Sequence, residues 1–126
     1  MPAILIVEDD PTIAELIAER LKNEGYEVYI AFTGKDGLKY MDESNPACIT
    51  LDIHLPDISG VEVLKEVRQK KEHSLPVIII TSDETARKDV EPYSPEAFFK
   101  KPVDFQKLKN VIKNVIEEKK KNLKSE

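Results

Sequence analysis

Three short apolar runs, each stopping at carboxylate or hydroxyl side chains, constrain this chain more than any other feature. Ala3-Ile4-Leu5-Ile6-Val7 ends at Glu8-Asp9-Asp10, Ala47-Cys48-Ile49-Thr50-Leu51 ends at Asp52, and Pro76-Val77-Ile78-Ile79-Ile80 ends at Thr81-Ser82-Asp83. Runs this short and this uniformly apolar, bounded by Pro and Gly signals, read as strands buried on both faces, as in parallel sheets covered by helices. A fourth run, Ala97-Phe98-Phe99, stops at Lys100-Lys101-Pro102. Ligands of open parallel sheets bind outside the carboxyl ends of the strands. Glu8, Asp9, Asp52, Thr81 and Lys101 are therefore expected on one rim.

The segments between the runs carry helix signals. Asp10-Pro11 makes a helix start, with Asp10 as N-cap rather than metal ligand, and Ile13, Leu16, Ile17 and Leu21 recur at helical spacing up to Gly25, giving a helix over 11–24. Tyr26 to Ala31 is a mixed strand containing the polar Glu27, which suits a sheet edge. Thr33-Gly34 opens a weaker helix that ends before Asn45-Pro46, and Val61, Leu64 and Val67 mark a third that runs out in the charged stretch Arg68 to Glu72. Glu84 to Val90 allows only a short or irregular element before Pro92 and Pro95, because proline inside a helix costs about 3 kcal/mol. Asp104 caps a long last helix with Phe105, Leu108, Val111, Ile112, Val115 and Ile116 on one face.

Five strands alternating with helices imply an α/β fold, a doubly wound parallel sheet. With the three most apolar strands central and right-handed crossovers, the order is 2-1-3-4-5, the flavodoxin-like arrangement. The 126 residues, 40% hydrophobic, suffice for one domain and its core, so 1–126 is expected to be a single domain with no output domain. No run approaches the ~20 apolar residues of a membrane span, and no basic leader precedes the first strand, so a soluble, cytoplasmic protein is expected. The single cysteine, Cys48, lies inside an apolar run and reads as a core thiol.

Charge excludes one class of partner. The net charge is −5, yet residues 104–126 hold seven Lys against four Asp/Glu, which leaves −8 on residues 1–103. Such an acidic body is a poor nucleic-acid binder, and Lys119-Lys120-Lys121 reads as a solvated helix end.

Three carboxylates on one rim repel each other and call for a cation. An all-oxygen set without a His or Cys cluster suits a hard ion such as Mg²⁺, and Lys101 adds a second positive charge. With Thr81 as hydroxyl donor, the set can hold a phosphoryl group: Asp52 attacks it, Mg²⁺ and Lys101 neutralise its charge, and Thr81 bonds an oxygen. The product is an aspartyl phosphate. His54, two residues after Asp52, either lines the rim or is an exposed loop histidine; His73 reads as incidental. Phe98 and Phe99 alternate across a strand, so one faces the core and the other faces outward or packs as well.

In order and at strand ends, Val7-Glu8-Asp9-Asp10, Leu51-Asp52-Ile53-His54-Leu55-Pro56, Gly60, Thr81-Ser82 and Lys101-Pro102 resemble the receiver domain of two-component response regulators over nearly the whole chain. The resemblance implies that Asp52 is a phosphoacceptor taking its phosphoryl group from a phosphohistidine of a histidine kinase or phosphotransfer protein. It implies that Asp9 binds Mg²⁺ directly, with Glu8 acting through a water and the His54 backbone carbonyl as a further ligand. Thr81 and Lys101 would contact the phosphoryl oxygens, the Lys101–Pro102 bond would be cis, and Thr81 and Phe98 would form a switch acting on the 81–100 surface toward a downstream protein. Two departures stand out: Phe98 lacks the hydroxyl of the commoner tyrosine, and the stretch from Thr81 to Lys101 is short, with two prolines in place of the usual helix and Gly-Ala pair.

Other readings fit less well. A haloacid dehalogenase-type phosphatase also uses an aspartate nucleophile with Thr/Ser, Lys and Mg²⁺, but needs an Asp-x-Asp motif after its first strand and a cap, and Glu8-Asp9-Asp10 lacks the motif. A pseudo-receiver that binds without phosphorylation would not need the complete acidic set and Lys101. A P-loop is missing altogether.

Overall fold

Strand and helix alternate through the chain in the computed structural model, which describes residues 1–70 and 74–124, with side chains as far as Lys119. His73, the charged stretch beyond Lys70 and the side chains of Lys120 and Lys121 lie outside the described residues. The elements are β1 (Ala3–Val7), α1 (Pro11–Asn23), β2 (Glu27–Ala31), α2 (Gly34–Ser44), β3 (Cys48–Leu51), α3 (Gly60–Gln69), β4 (Val77–Thr81), α4 (Arg87–Val90), β5 (Ala97–Lys100) and α5 (Phe105–Lys124). All strand pairs are parallel, in the order β2-β1-β3-β4-β5.

Burial follows the expected ranking. Every residue of β3 and β4 is buried, as are four of the five in β1, whereas β2 and β5 are mixed and form the edges. Helices cover both faces, so there are two cores. Leu5, Val7, Ile49, Leu51 and Ile79 pack under α2, α3 and α4, while Ile4, Ile6, Ile78 and Ile80 pack under α1 and α5. Each such aliphatic side chain contributes about 1.5–3 kcal/mol by leaving water. Cys48 is wholly buried, and that burial, with Glu96 nearby, raises its thiol pKa.

The helix ends are built from the residues that signalled them. Asp10 accepts from the N–H groups of Thr12 (2.9 Å) and Ile13 (3.3 Å) ahead of Pro11. Asp104 accepts from Lys107 N at 3.1 Å and opens α5, which buries Leu108, Ile112 and Ile116. Helix α2 ends at Asn45 in the left-handed region, φ 48°, just before Pro46. The proline-broken stretch resolves into three abutting single turns: a 3₁₀ turn Glu84–Ala86, α4, and a 3₁₀ turn Glu91–Tyr93. Pro92 lies in the first turn of the last piece, where its missing N–H has no intrahelical acceptor to lose.

Candidate functional site

The rim at the carboxyl ends of β1, β3, β4 and β5 gathers the expected side chains. Asp52 N donates to Val7 O (3.0 Å), so the residue after β3 sits beside the residue after β1, and Glu8 and Asp52 emerge together. Both are buried, at 2% and 6% exposure, unusual for carboxylates unless they are paired. Lys101 pairs with both: its Nζ is 2.6 Å from Glu8 Oε1 and 2.9 Å from Asp52 Oδ2.

Backbone groups hold the other carboxylate oxygens. Ile53 N donates to Asp52 Oδ1 at 2.7 Å, with a longer contact from His54 N at 3.4 Å, and Asp10 N donates to Glu8 Oε2 at 3.1 Å. Burial raises the Glu8 pKa and the charge of Asp52 adds to the effect, against the opposing pull of Lys101 and the Asp10 N–H. Burial works against the Lys101 ammonium, but its bonds to Glu8 and Asp52 outweigh this and raise its pKa.

Asp9 is exposed, yet it offers an oxygen within 4.8 Å of oxygens from Glu8 and Asp52. Three carboxylates against one ammonium leave two negative charges to be met. That balance, with oxygen donors only, fits a hard divalent cation. Asp10 stands apart from this cluster, its carboxylate engaged in the α1 cap.

Thr81 closes β4 and is fully buried; its carbonyl accepts from Lys101 N at 2.9 Å and its Oγ from Asp83 N at 3.3 Å. The Lys101–Pro102 peptide bond is cis, as the family resemblance implied. Gly60 has a steric reason to be glycine, since a Cβ there would lie 2.1 Å from Asp52 O. Phe98 packs against the α3–α4 core and Phe99 against the α1–α5 core, both only partly buried, so neither simply faces outward.

Several contacts around the rim were not anticipated from the sequence. His54 Nε2 lies 2.9 Å from Asp83 Oδ2, a strap between the loops after β3 and β4, and the Thr85 hydroxyl together with His54 lowers the Asp83 pKa. Asp57 accepts from Gly34 N (2.8 Å) and Lys35 N (2.9 Å), joining the loop after β3 to the start of α2. The only sequence signal for Asp57 was its turn context, Pro56-Asp57 before Ser59-Gly60.

Residues 4–113 match the family described as response regulator receiver domain. The response regulator protein TrrA from Thermotoga maritima, solved in complex with Mg²⁺-BeF, is 36% identical with a TM-score of 0.84, over 91% of this chain and 99% of that one. A CheY-like response regulator receiver domain protein from Methanospirillum hungatei JF-1 is 30% identical with a TM-score of 0.90, over 97% of this chain and 98% of that one.

Proposed function

Given that this chain belongs to the response regulator receiver domain family, we propose that Asp52 accepts a phosphoryl group from a phosphohistidine on a histidine kinase or phosphotransfer protein. The observation that carries this reading is a buried carboxylate placed between a lysine ammonium and a backbone N–H. An Asp52 oxygen attacks phosphorus, the P–N bond to the donor imidazole breaks, and its electron pair returns to the ring nitrogen, which takes a proton from solvent. The product is an aspartyl phosphate. The domain is a signalling phosphoacceptor that promotes only its own phosphorylation and dephosphorylation.

The chain's own groups share the work. The Ile53 N–H holds Oδ1 and fixes the orientation of the carboxylate. Lys101 transfers one of its bonds to an incoming phosphoryl oxygen and offsets charge there, and the Thr81 hydroxyl bonds a second oxygen. Asp9 and Asp52 would hold Mg²⁺ directly, with Glu8 acting through a water and the His54 carbonyl as a further ligand. When bound, the ion supplies positive charge to the transferring group and orients it. The Mg²⁺-BeF complex of TrrA supports carrying this ion over.

Thr81 and Phe98 move the 81–100 surface, which a downstream protein would read. No helix among the described residues is long and apolar enough to cross a membrane. Incubation with acetyl phosphate and Mg²⁺ followed by intact-mass measurement tests the reading. Wild type should gain one phosphoryl group and Asp52→Asn none; equal labelling of both would sink the assignment.

A further inference from the structure

We propose that Asp57 is a positioning residue for the phosphoacceptor loop, holding residues 53–60 in place by clamping them to the first turn of α2. The inference rests on the reading of Asp52 as phosphoacceptor, but the clamp itself is structural. The loop closes on itself at its ends, where Gly60 N donates to Ile53 O at 2.7 Å and Gly60 lies against the Asp52 carbonyl with no room for a Cβ. Its middle reaches α2 through two neighbouring residues. Asp57 takes the N–H groups of Gly34 and Lys35 on its two carboxylate oxygens, and Ile58 packs so closely on Gly34 that a Cβ there would come within 2.5 Å of it.

The clamp suits both partners. The first turn of a helix has N–H groups without intrahelical acceptors, and Thr33 satisfies only the one at Asp36, 3.0 Å away. Asp57 satisfies the two before it, from 23 and 22 residues further along the chain, and places its charge at the positive end of the helix dipole. Some loss of water at the contact opposes that charge, yet the backbone N–H groups of Lys35, Gly34, Ile58 and Asp57 itself hold its pKa down to about 2.

The consequence reaches Asp52 through the loop backbone. The N–H groups of Ile53 and His54 bear on Asp52 Oδ1, and the His54 carbonyl belongs to the same few residues. A loop tethered at Asp57 presents these groups in one place before metal or phosphoryl arrives; an untethered loop must be ordered on binding. Partners that orient ligands in this manner typically govern metal affinity tenfold or more.

The test uses the intact chain with Asp57→Ala, Asp57→Asn and, as control, Thr33→Ala, which removes a cap from the same helix without touching the loop. Amide exchange of Ile53 and Gly60 is measured without metal, and Mg²⁺ is then titrated while backbone shifts are followed. Asp57→Ala should speed exchange at both amides and weaken Mg²⁺ binding roughly tenfold. Asp57→Asn, with one acceptor oxygen left, should fall between, and Thr33→Ala should bind Mg²⁺ like wild type. Wild-type exchange and affinity in Asp57→Ala would overturn the proposal, as would an equal loss in Thr33→Ala, which would place the effect in helix stability. If wild type itself neither binds Mg²⁺ nor takes a phosphoryl group, the reading of Asp52 fails, while the exchange rates still decide whether Asp57 holds the loop.

Discussion

Arg87 lays its guanidinium over the ring of Phe98, 4.3 Å from the centroid, so the aromatic residue of β5 is packed against a core on one side and covered by a cation from α4 on the other. A contact of this kind at an exposed site is worth about 0.5–1 kcal/mol. Phe98 has no hydroxyl to keep in water, so nothing polar draws the ring out of this sandwich. The expected outcome is that Arg87→Ala lowers the urea midpoint slightly and speeds amide exchange across residues 84–98, and leaves Mg²⁺ affinity unchanged. In wild type, beryllofluoride at Asp52 should shift amides of residues 82–100 through Thr81, because only a group that bonds differently in the two states can move the equilibrium. If those amides stay put while Asp52 is occupied, the protein carries phosphate without switching.

The pH dependence of stability separates carboxylates of opposite sign. Asp57, with its pKa near 2 against an ordinary 3.8, contributes stability that is complete above the ordinary value and lost as pH falls through the folded one. Asp83, also lowered by its hydrogen bonds, acts in the same sense. Glu8 acts in the opposite sense, since burial raises its pKa above 4.5 and its contribution is lost as pH rises through the folded value. The gap in urea midpoint between wild type and Asp57→Asn should therefore be steady above about pH 4 and close between about pH 4 and pH 2. A gap that widens in acid would contradict the clamp.

Metal affinity should distinguish two adjacent aspartates. Asp9 is exposed beside Glu8 and Asp52, whereas Asp10 spends its carboxylate on Thr12 and Ile13. Asp9→Ala removes a charged ligand and should weaken Mg²⁺ binding by roughly an order of magnitude or more. Asp10→Ala should cost about 1 kcal/mol of stability as a lost N-cap, with little change in the titration. A titration in which Asp10→Ala binds far worse than Asp9→Ala would reverse these roles.

What was legible in the sequence is what repeats or punctuates. Ile4 to Val7 and Val77 to Ile80 are apolar at every position because both faces of those strands are covered, and the polar residue that follows such a run must lie on the rim. That one rule located Glu8, Asp9, Asp52, Thr81 and Lys101. The same double covering explains Phe98 and Phe99, since in a sheet with helices on each face both alternating side chains meet a core. Asp57 on Gly34, His54 on Asp83 and Arg68 on Tyr93 left no such trace. Each joins residues more than twenty apart through a side chain whose target is a backbone atom or a single charged group, and neither periodicity nor composition records those. Boundaries moved by a residue or so, as at β2, which begins at Glu27 and not Tyr26.

Arg68, near the end of α3, fixes the far end of the segment that should respond to Asp52. Its Nε donates to Tyr93 O at 2.8 Å, Nη1 to Leu75 O at 2.6 Å, and Nη2 to Ser94 O and Glu96 Oε1, each at 3.0 Å. Glu96 Oε1 also accepts from Val77 N at 2.7 Å, so one guanidinium ties the approaches to β4 and β5 together. Its side chain is only 14% exposed, and its bonds to Tyr93 O and Leu75 O are partly buried, whereas those to Ser94 O and Glu96 lie open to water. Removing it would deprive the Tyr93 and Leu75 carbonyls of a partly buried donor, and Arg68→Ala should cost about 1–3 kcal/mol. Lysine carries the charge but not the planar fork that reaches several acceptors at once, so Arg68→Lys should recover less than half of that loss. Amide exchange should quicken over residues 91–97 in both variants. The loop after Asp52 should keep its wild-type exchange, because its tether is Asp57 on α2. Arg68→Lys as stable as wild type would show that charge alone holds this corner.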